Sequence, residues 1–229
     1  MCFKSWEQQR RLDGRSTQWD NQMPKIVIFD TEYLSCDGAM YRVWSAANDP
    51  DPILVQIGAV LVDLDGPARV VDTLNVIVTP QDRHGRVCQL DPYFVQLTGL
   101  TDQQLETEGV PLRDALEMLD SFSQGSDFWS WGKDELFALG ISCFVQGLSP
   151  SIPARRFSNL KSVMHSAISE RDIANINSSE LSQFFGLNGP NLRAHDALGD
   201  ATSLSAALIH LLETNKIDRE LFFRVREFG

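Results

Sequence analysis

Beyond residue 24 the apolar positions first fall in short β-branched runs and later at helical spacing. Lys25–Phe29 (KIVIF) reads as a buried strand, and Ile53–Leu64 and Val70–Val78 as two more. The turn Asp65-Gly66-Pro67 between the last two predicts an antiparallel hairpin. Tyr33–Pro52 is longer and richer in turn formers than a simple connection needs, which marks it as either functional or disordered. Helical signals follow. Asp91-Pro92 supplies a cap and a first-position proline before Tyr93–Leu97, and Thr101–Gln104 fits a capping box. Pro111–Phe122 has apolar residues at helical spacing, and Asp127–Trp131 reads as a strand. A helix is expected from about Lys133 to Gln146, and short helices over Ser158–Ile168 and Ser179–Phe185. Ala197, Ala201, Leu204, Leu208 and Leu211 form one apolar stripe on a C-terminal helix. The order predicts an α/β fold with a mixed central sheet flanked by helices. Residues 1–23 read as an N-terminal arm, 24–213 as the domain and 214–229 as a C-terminal helical extension, with its helix over Asp218–Phe228.

Composition narrows the class. The chain has 229 residues, 43% hydrophobic and 22% charged, ordinary for a globular protein with a real core. No apolar run approaches the roughly 20 residues that span a bilayer, so no membrane partner is expected. The polar start MCFKSWEQQRRLDGRSTQWDNQ lacks the apolar stretch of a signal peptide, which points to the cytoplasm. Cys2, Cys36, Cys88 and Cys143 are scattered, without a Cys-x-x-Cys pair, and read as reduced thiols. Twenty basic against 31 acidic residues give a net charge of −11. That argues against coating of long nucleic acid through a broad basic surface, leaves room for a local grip on a few nucleotides, and favours short oligonucleotides over long strands as a partner.

Some of the acidity is patterned. In Phe29-Asp30-Thr31-Glu32 the two acids share a face if the strand continues, and they repel unless a cation or proton sits between them. If the strand has ended, they are merely solvated. Asp134, after Ser130-Trp131-Gly132-Lys133, stands at a helix start, where an acid also serves as an ordinary cap or dipole partner. Asp200 lies four residues before Leu204, near the face that packs inward, where a carboxylate needs a partner. His195 ends a Gly-, Pro- and Asn-rich segment and can take a proton near neutral pH. His195 and Asp196 also fit as cap residues, with Asp200 paired to a basic side chain.

Taken together, Asp-x-Glu, then Asp, then His-x-x-x-x-Asp resembles the DEDDh subgroup of the DnaQ-like 3′→5′ exonucleases, from about Lys25 to Leu212. Gln56-Ile57-Gly58-Ala59 and Leu97-Thr98-Gly99-Leu100-Thr101 are similar to phrases of that family. Ser130–Asp134 and Asn159-Leu160-Lys161 resemble its Eri-like and KapD-like branch. The resemblance implies an RNase H-like fold and metal-dependent removal of nucleoside 5′-monophosphates from the 3′ end of single-stranded RNA or DNA. It further implies two Mg2+ or Mn2+ ions held by Asp30, Glu32, Asp134 and Asp200, with His195 as general base.

The sequence also departs from that family. Its usual Asp-x-Glu-Thr-Thr-Gly run is replaced here by Asp30-Thr31-Glu32-Tyr33-Leu34-Ser35. Tyr33 and Leu34 are candidates to stack on and wedge a terminal base, or else simple packing residues. Trp44 either covers the substrate or anchors its loop. Arg193, Lys161 and the Arg155-Arg156 pair are candidate phosphate contacts, or solvated surface. The competing reading is an inactive RNase H-like binding or scaffold protein, for which clustered acids would be of little use.

Overall fold

Strand β1, Lys25–Tyr33, does not end before its acids; it runs through them, and all of Ile26–Glu32 is buried. This computed structural model describes residues 25–165, 167–187 and 193–224 (side chains to 222), so the expected N-terminal arm lies outside the described residues. β1 is central, pairing antiparallel with β2 (Leu54–Asp63) and parallel with β4 (Asp127–Ser130). β3 (Arg69–Ile77) joins β2 in the expected antiparallel hairpin, and β5 (Phe157–Asn159) adds to β4 in parallel. The result is a mixed five-stranded sheet of order β3-β2-β1-β4-β5.

Strand alternation divides the core between the two faces. Val27, Phe29, Ile57, Ala59 and Leu61 meet α3 (Leu112–Ser123) and α4 (Asp134–Val145) on one side. Ile26, Ile28, Val60, Val62 and Trp129 meet α8 (Ala197–Glu213) on the other, through Ala201, Leu204, Leu208 and Leu211, as the stripe predicts. The hairpin helices α1 (Pro92–Thr98) and α2 (Asp102–Glu108) carry the expected Asp91 cap and Thr101–Gln104 capping box. They cover a third apolar cluster with Leu34, Ile53 and Val55.

The helix expected over Ser158–Ile168 is a correction. Its first residues form β5, and only Lys161–Met164 (α5) is helical. Parallel pairing of Phe157–Asn159 with β4 decides the conformation of a stretch whose local pattern favours a helix. Glu170–Asn175 (α6), with Ser169 as its cap, was not foreseen, and Leu181–Phe184 (α7) is shorter than its predicted span. Of the expected C-terminal helix, residues 218–220 are not helical, Leu221–Arg224 (α9) is, and 225–228 lie outside the described residues. No helix among the described residues is long and apolar enough to cross a membrane.

The long connection after β1 is ordered. Asp49 organises it, accepting from Arg42 Nε at 3.3 Å, Arg42 Nη2 at 2.6 Å, the Ala46 amide at 2.9 Å and Cys36 Sγ at 3.4 Å.

The tightest approach between layers is at Gly58. A Cβ there would lie 2.1 Å from the backbone of Ala197 and Leu198, so the first turn of α8 rests directly on β2. Gln56, on the same face, fastens that turn by donating to Asp196 Oδ1 at 2.7 Å and accepting from the Ala197 amide at 3.1 Å. Gly58→Ala should therefore lower unfolding stability by at least ~1–3 kcal/mol, because backbone rather than a movable side chain must give way. Urea unfolding midpoints measure this, and an unchanged midpoint would show that the helix does not depend on that contact.

Candidate active site

Because β1 stays extended through residue 33, Asp30 and Glu32 project from the face that α8 covers, and Asp200 enters from the first turn of that helix. All three are buried, with 5–8% of their surfaces exposed. They line one open cleft with His195, Tyr33, Trp131 and Ser178. Glu32, His195 and Asp200 each place a potential ligand atom within 4.8 Å of the others.

A fourth buried carboxylate belongs to Glu135. The sequence reading favoured its neighbour Asp134; in the structure Asp134 lines the cleft as an exposed residue at the first helical position, while Glu135 is 8% exposed. The reason is helical phase. Glu135 shares a face with the buried Ala138, Leu139 and Ser142, whereas three residues after Asp134 comes the exposed Phe137. The same stripe argument that singled out Asp200 before Leu204 would have found Glu135.

The acids are held against their own repulsion. Burial raises the Asp30 pKa well above the usual carboxylate range, with the charges of Glu135, Glu32 and Asp200 adding to the effect. Burial pushes Glu32 up to about 8, helped by Asp200, Asp196 and Glu135. Asp200 is pushed up to about 7, again mainly by burial, against opposing hydrogen bonds from the His195 backbone and the Ser178 hydroxyl. Glu135 also moves up by burial, moderated by Ser130 and Lys161. None of the ion pairs among the described residues involves these four acids. Glu135 Oε2 and Asp200 Oδ1 are buried without a hydrogen-bond partner. Oxygen-only donors, mutual repulsion and orphaned carboxylate oxygens together fit hard divalent cations such as Mg2+ or Mn2+.

His195 sits just outside α8 with its backbone in the left-handed region, φ 60°. Burial lowers its pKa, so the imidazole is neutral and able to accept a proton at neutral pH. The helix cap itself is Asp196, which accepts from the Gly199 amide at 3.1 Å. Capping therefore explains Asp196 and leaves His195 without that role.

The other candidates separate. Tyr33 lines the cleft, its ring centroid 5.4 Å from that of Trp44, and Trp44 donates to the Leu34 carbonyl at 3.0 Å. Leu34 is 3% exposed, belongs to an apolar cluster with Ile53 and Phe94 and does not itself line the cleft, which fits the packing alternative rather than the wedge. A shift in β1–β2 pairing between Glu32 and Tyr33 accompanies this turn inward. Arg193 is exposed and does not line the cleft; its guanidinium lies over Gly99, the left-handed cap of α1 (φ 79°), near the Gln96 carbonyl. Arg156 is corrected. It donates to Asp120, Ser123 and the Ser126 carbonyl and covers the Phe128 ring, a structural role on the opposite face of the sheet. Lys161 does reach the cleft, its Nζ 5.1 Å from the centroid of the Trp131 ring.

No protein-family model matches the chain, and no curated protein does. Solved structures do. The nuclease domain of 3′hExo, a DEDDh family member bound to rAMP, matches with a TM-score of 0.65 at 16% identity, covering 87% of this chain and 98% of that one. Cell-death related nuclease 4 (CRN-4) matches at 0.61 and 18% identity, covering 84% of this chain and 65% of that one. E. coli Exonuclease I in complex with a dA16 oligonucleotide matches at 0.58 and 16%, covering 87% of this chain and 42% of that one. At such identities the likeness defines the fold, and the fold is RNase H-like.

The raised acid pKa values fix the sign of a pH effect. Protonated carboxylates stabilise the folded state below their ordinary range, and that contribution is lost as pH rises through about 7 for Asp200 and about 8 for Glu32. Chelator-treated protein should thus melt at a lower temperature at about pH 8.5 than at about pH 5.5. Mn2+ or Mg2+ should raise Tm more at the higher pH, because the ions bind the deprotonated acids. A Tm independent of both variables would refute the metal assignment.

Proposed function

We propose that this protein is a metal-dependent 3′→5′ exonuclease that releases nucleoside 5′-monophosphates from single-stranded nucleic acid. One observation carries the reading: four buried carboxylates without ion-pair partners among the described residues converge on a cleft shared with an imidazole that burial biases to its neutral form. An inactive scaffold would be destabilised by such a cluster and gain nothing from it. The RNase H-like fold and its resemblance to DEDDh nucleases are consistent with this chemistry, and the Ser130-Trp131-Gly132 phrase suggests the Eri-like and KapD-like branch.

In this reading Asp30, Glu32, Glu135 and Asp200 hold the ions, and Asp134 stays at the rim. Two divalent cations there would supply charge stabilisation for the attacking and leaving oxygens of the displaced phosphodiester. His195 removes the proton from the attacking water. Its imidazole needs no large pKa adjustment, since burial already favours the neutral form. Tyr33 lines the cleft beside the acids and is the ring we assign to stacking on the terminal base. Cleavage at the 3′ end follows from the family resemblance.

Labelled oligonucleotides test the reading. A 3′-phosphorylated strand should resist digestion and a 5′ block should not matter; internal cutting of a circular single strand would overturn the direction. Glu135→Gln should lower turnover by about 10–100-fold or more, while Asp134→Asn stays near wild type. The reverse ranking would return the fourth acid to Asp134.

His195 has its own test. His195→Ala should slow turnover by about 10²–10⁴-fold, and raising the pH should partly restore the rate by supplying hydroxide. Asn tolerates a left-handed backbone, so His195→Asn keeps the local conformation without providing a base. Near-normal turnover in His195→Asn would reduce His195 to a conformational role.

A further inference from the structure

The cleft has a second wall that the chemistry above does not use. Tyr41 and Met40, at the tip of the loop after β1, line the same cleft as the acids yet are 93% and 64% exposed. Tyr93, 38% exposed on the first turn of α1, also lines it. Solvent-facing apolar side chains beside a site mark a surface that meets a ligand.

This tip is braced. Besides the bonds to Asp49, Arg42 Nη2 donates to the Asp37 carbonyl at 2.9 Å, and the Trp44 indole is tied to Leu34 and packed on Tyr33. Val43 and Trp44 are both left-handed, with φ of 54° and 52°, a conformation that costs a β-branched residue and persists only where its surroundings enforce it. A loop held so firmly presents its exposed side chains in a fixed place.

Charge says what can sit there. Among the described residues, the cleft lining carries six carboxylate residues and one ammonium group, that of Lys161, in a protein of net charge −11. A polyanion could not be held along its backbone by such a surface, whereas bases stack on ring faces irrespective of charge and sequence.

Resting on the nuclease reading above, we propose that Tyr41, with Met40 and Tyr93, forms a stacking platform for the base next to the terminal nucleotide. The protein then takes short single-stranded oligonucleotides, gripping bases rather than phosphates. Beyond the platform the strand gains little, because among the described residues no further cationic side chain of the cleft lining attracts phosphates.

The test is equilibrium binding of fluorescein-labelled oligoadenylates of two to eight nucleotides, read by anisotropy, in a turnover-impaired Glu32→Gln protein with Mg2+. Adding Tyr41→Ala should weaken binding of the tetranucleotide by about 10-fold, and Tyr41→Phe should leave it near the parent value. Affinity should change little between two and eight nucleotides, because the second base already occupies the platform. The slope of log affinity against log salt should be no steeper than about −1.5, equivalent to roughly two phosphate contacts. Equal affinity in Tyr41→Ala, or affinity that climbs with every phosphate and falls steeply with salt, would overturn the platform while leaving the nuclease reading intact. Failure of the parent protein to bind any of the strands would overturn both.

Discussion

The structure depends on how closely α8 approaches β2. Gly58 removes the one Cβ that would hold the layers apart, and Gln56 satisfies the polar groups of the helix start that this closeness buries. In the β1–β2 ladder Gly58 stands opposite Asp30 and Gln56 opposite Glu32. The residues that admit the helix therefore neighbour the residues the helix must face. One register fixes both, and a slip of a single residue would turn Asp30 and Glu32 to the other side of the sheet.

That arrangement concentrates charge where a protein ordinarily avoids it. Each acid is surrounded by core: Ile28 precedes Asp30, Ala201 follows Asp200, and Ala138 and Leu139 share the face of Glu135. The apolar clusters on the two sides of the sheet compensate for the cost of gathering carboxylates at its end. A buried site also keeps water from screening whatever charge develops there, which strengthens electrostatic control of a reaction. Stability and chemistry pull in opposite directions at these positions, as expected of a functional site.

Much of this was legible in the chain. Long apolar runs and helix stripes gave the sheet and its covering helices, because burial on one face leaves a period that survives without knowledge of contacts. Asp30, Glu32, His195 and Asp200 stood out through their resemblance to the DEDDh pattern, and all four line one cleft. What failed was information that tertiary contact alone supplies. β5 is three residues long and exists through its pairing with β4. Leu34 looked available because the pairing irregularity that turns it inward leaves no trace in composition. Asp134 was singled out through the family resemblance, whereas the phase of the helix, also readable in the chain, buries its neighbour Glu135. The roles of these residues lie a step beyond their placement.

His195 carries a constraint of a historical kind. A left-handed backbone suits few residues: glycine first, then asparagine, aspartate and histidine, and His195 is one of these. A proton acceptor of another chemistry, such as a tyrosine, would reach the same acids only from a differently folded entry to α8. The route from one kind of base to the other thus runs through a change of backbone. In the role proposed for His195, single substitutions at this position lead toward loss of function, and a lineage that has adopted this turn is confined to the imidazole.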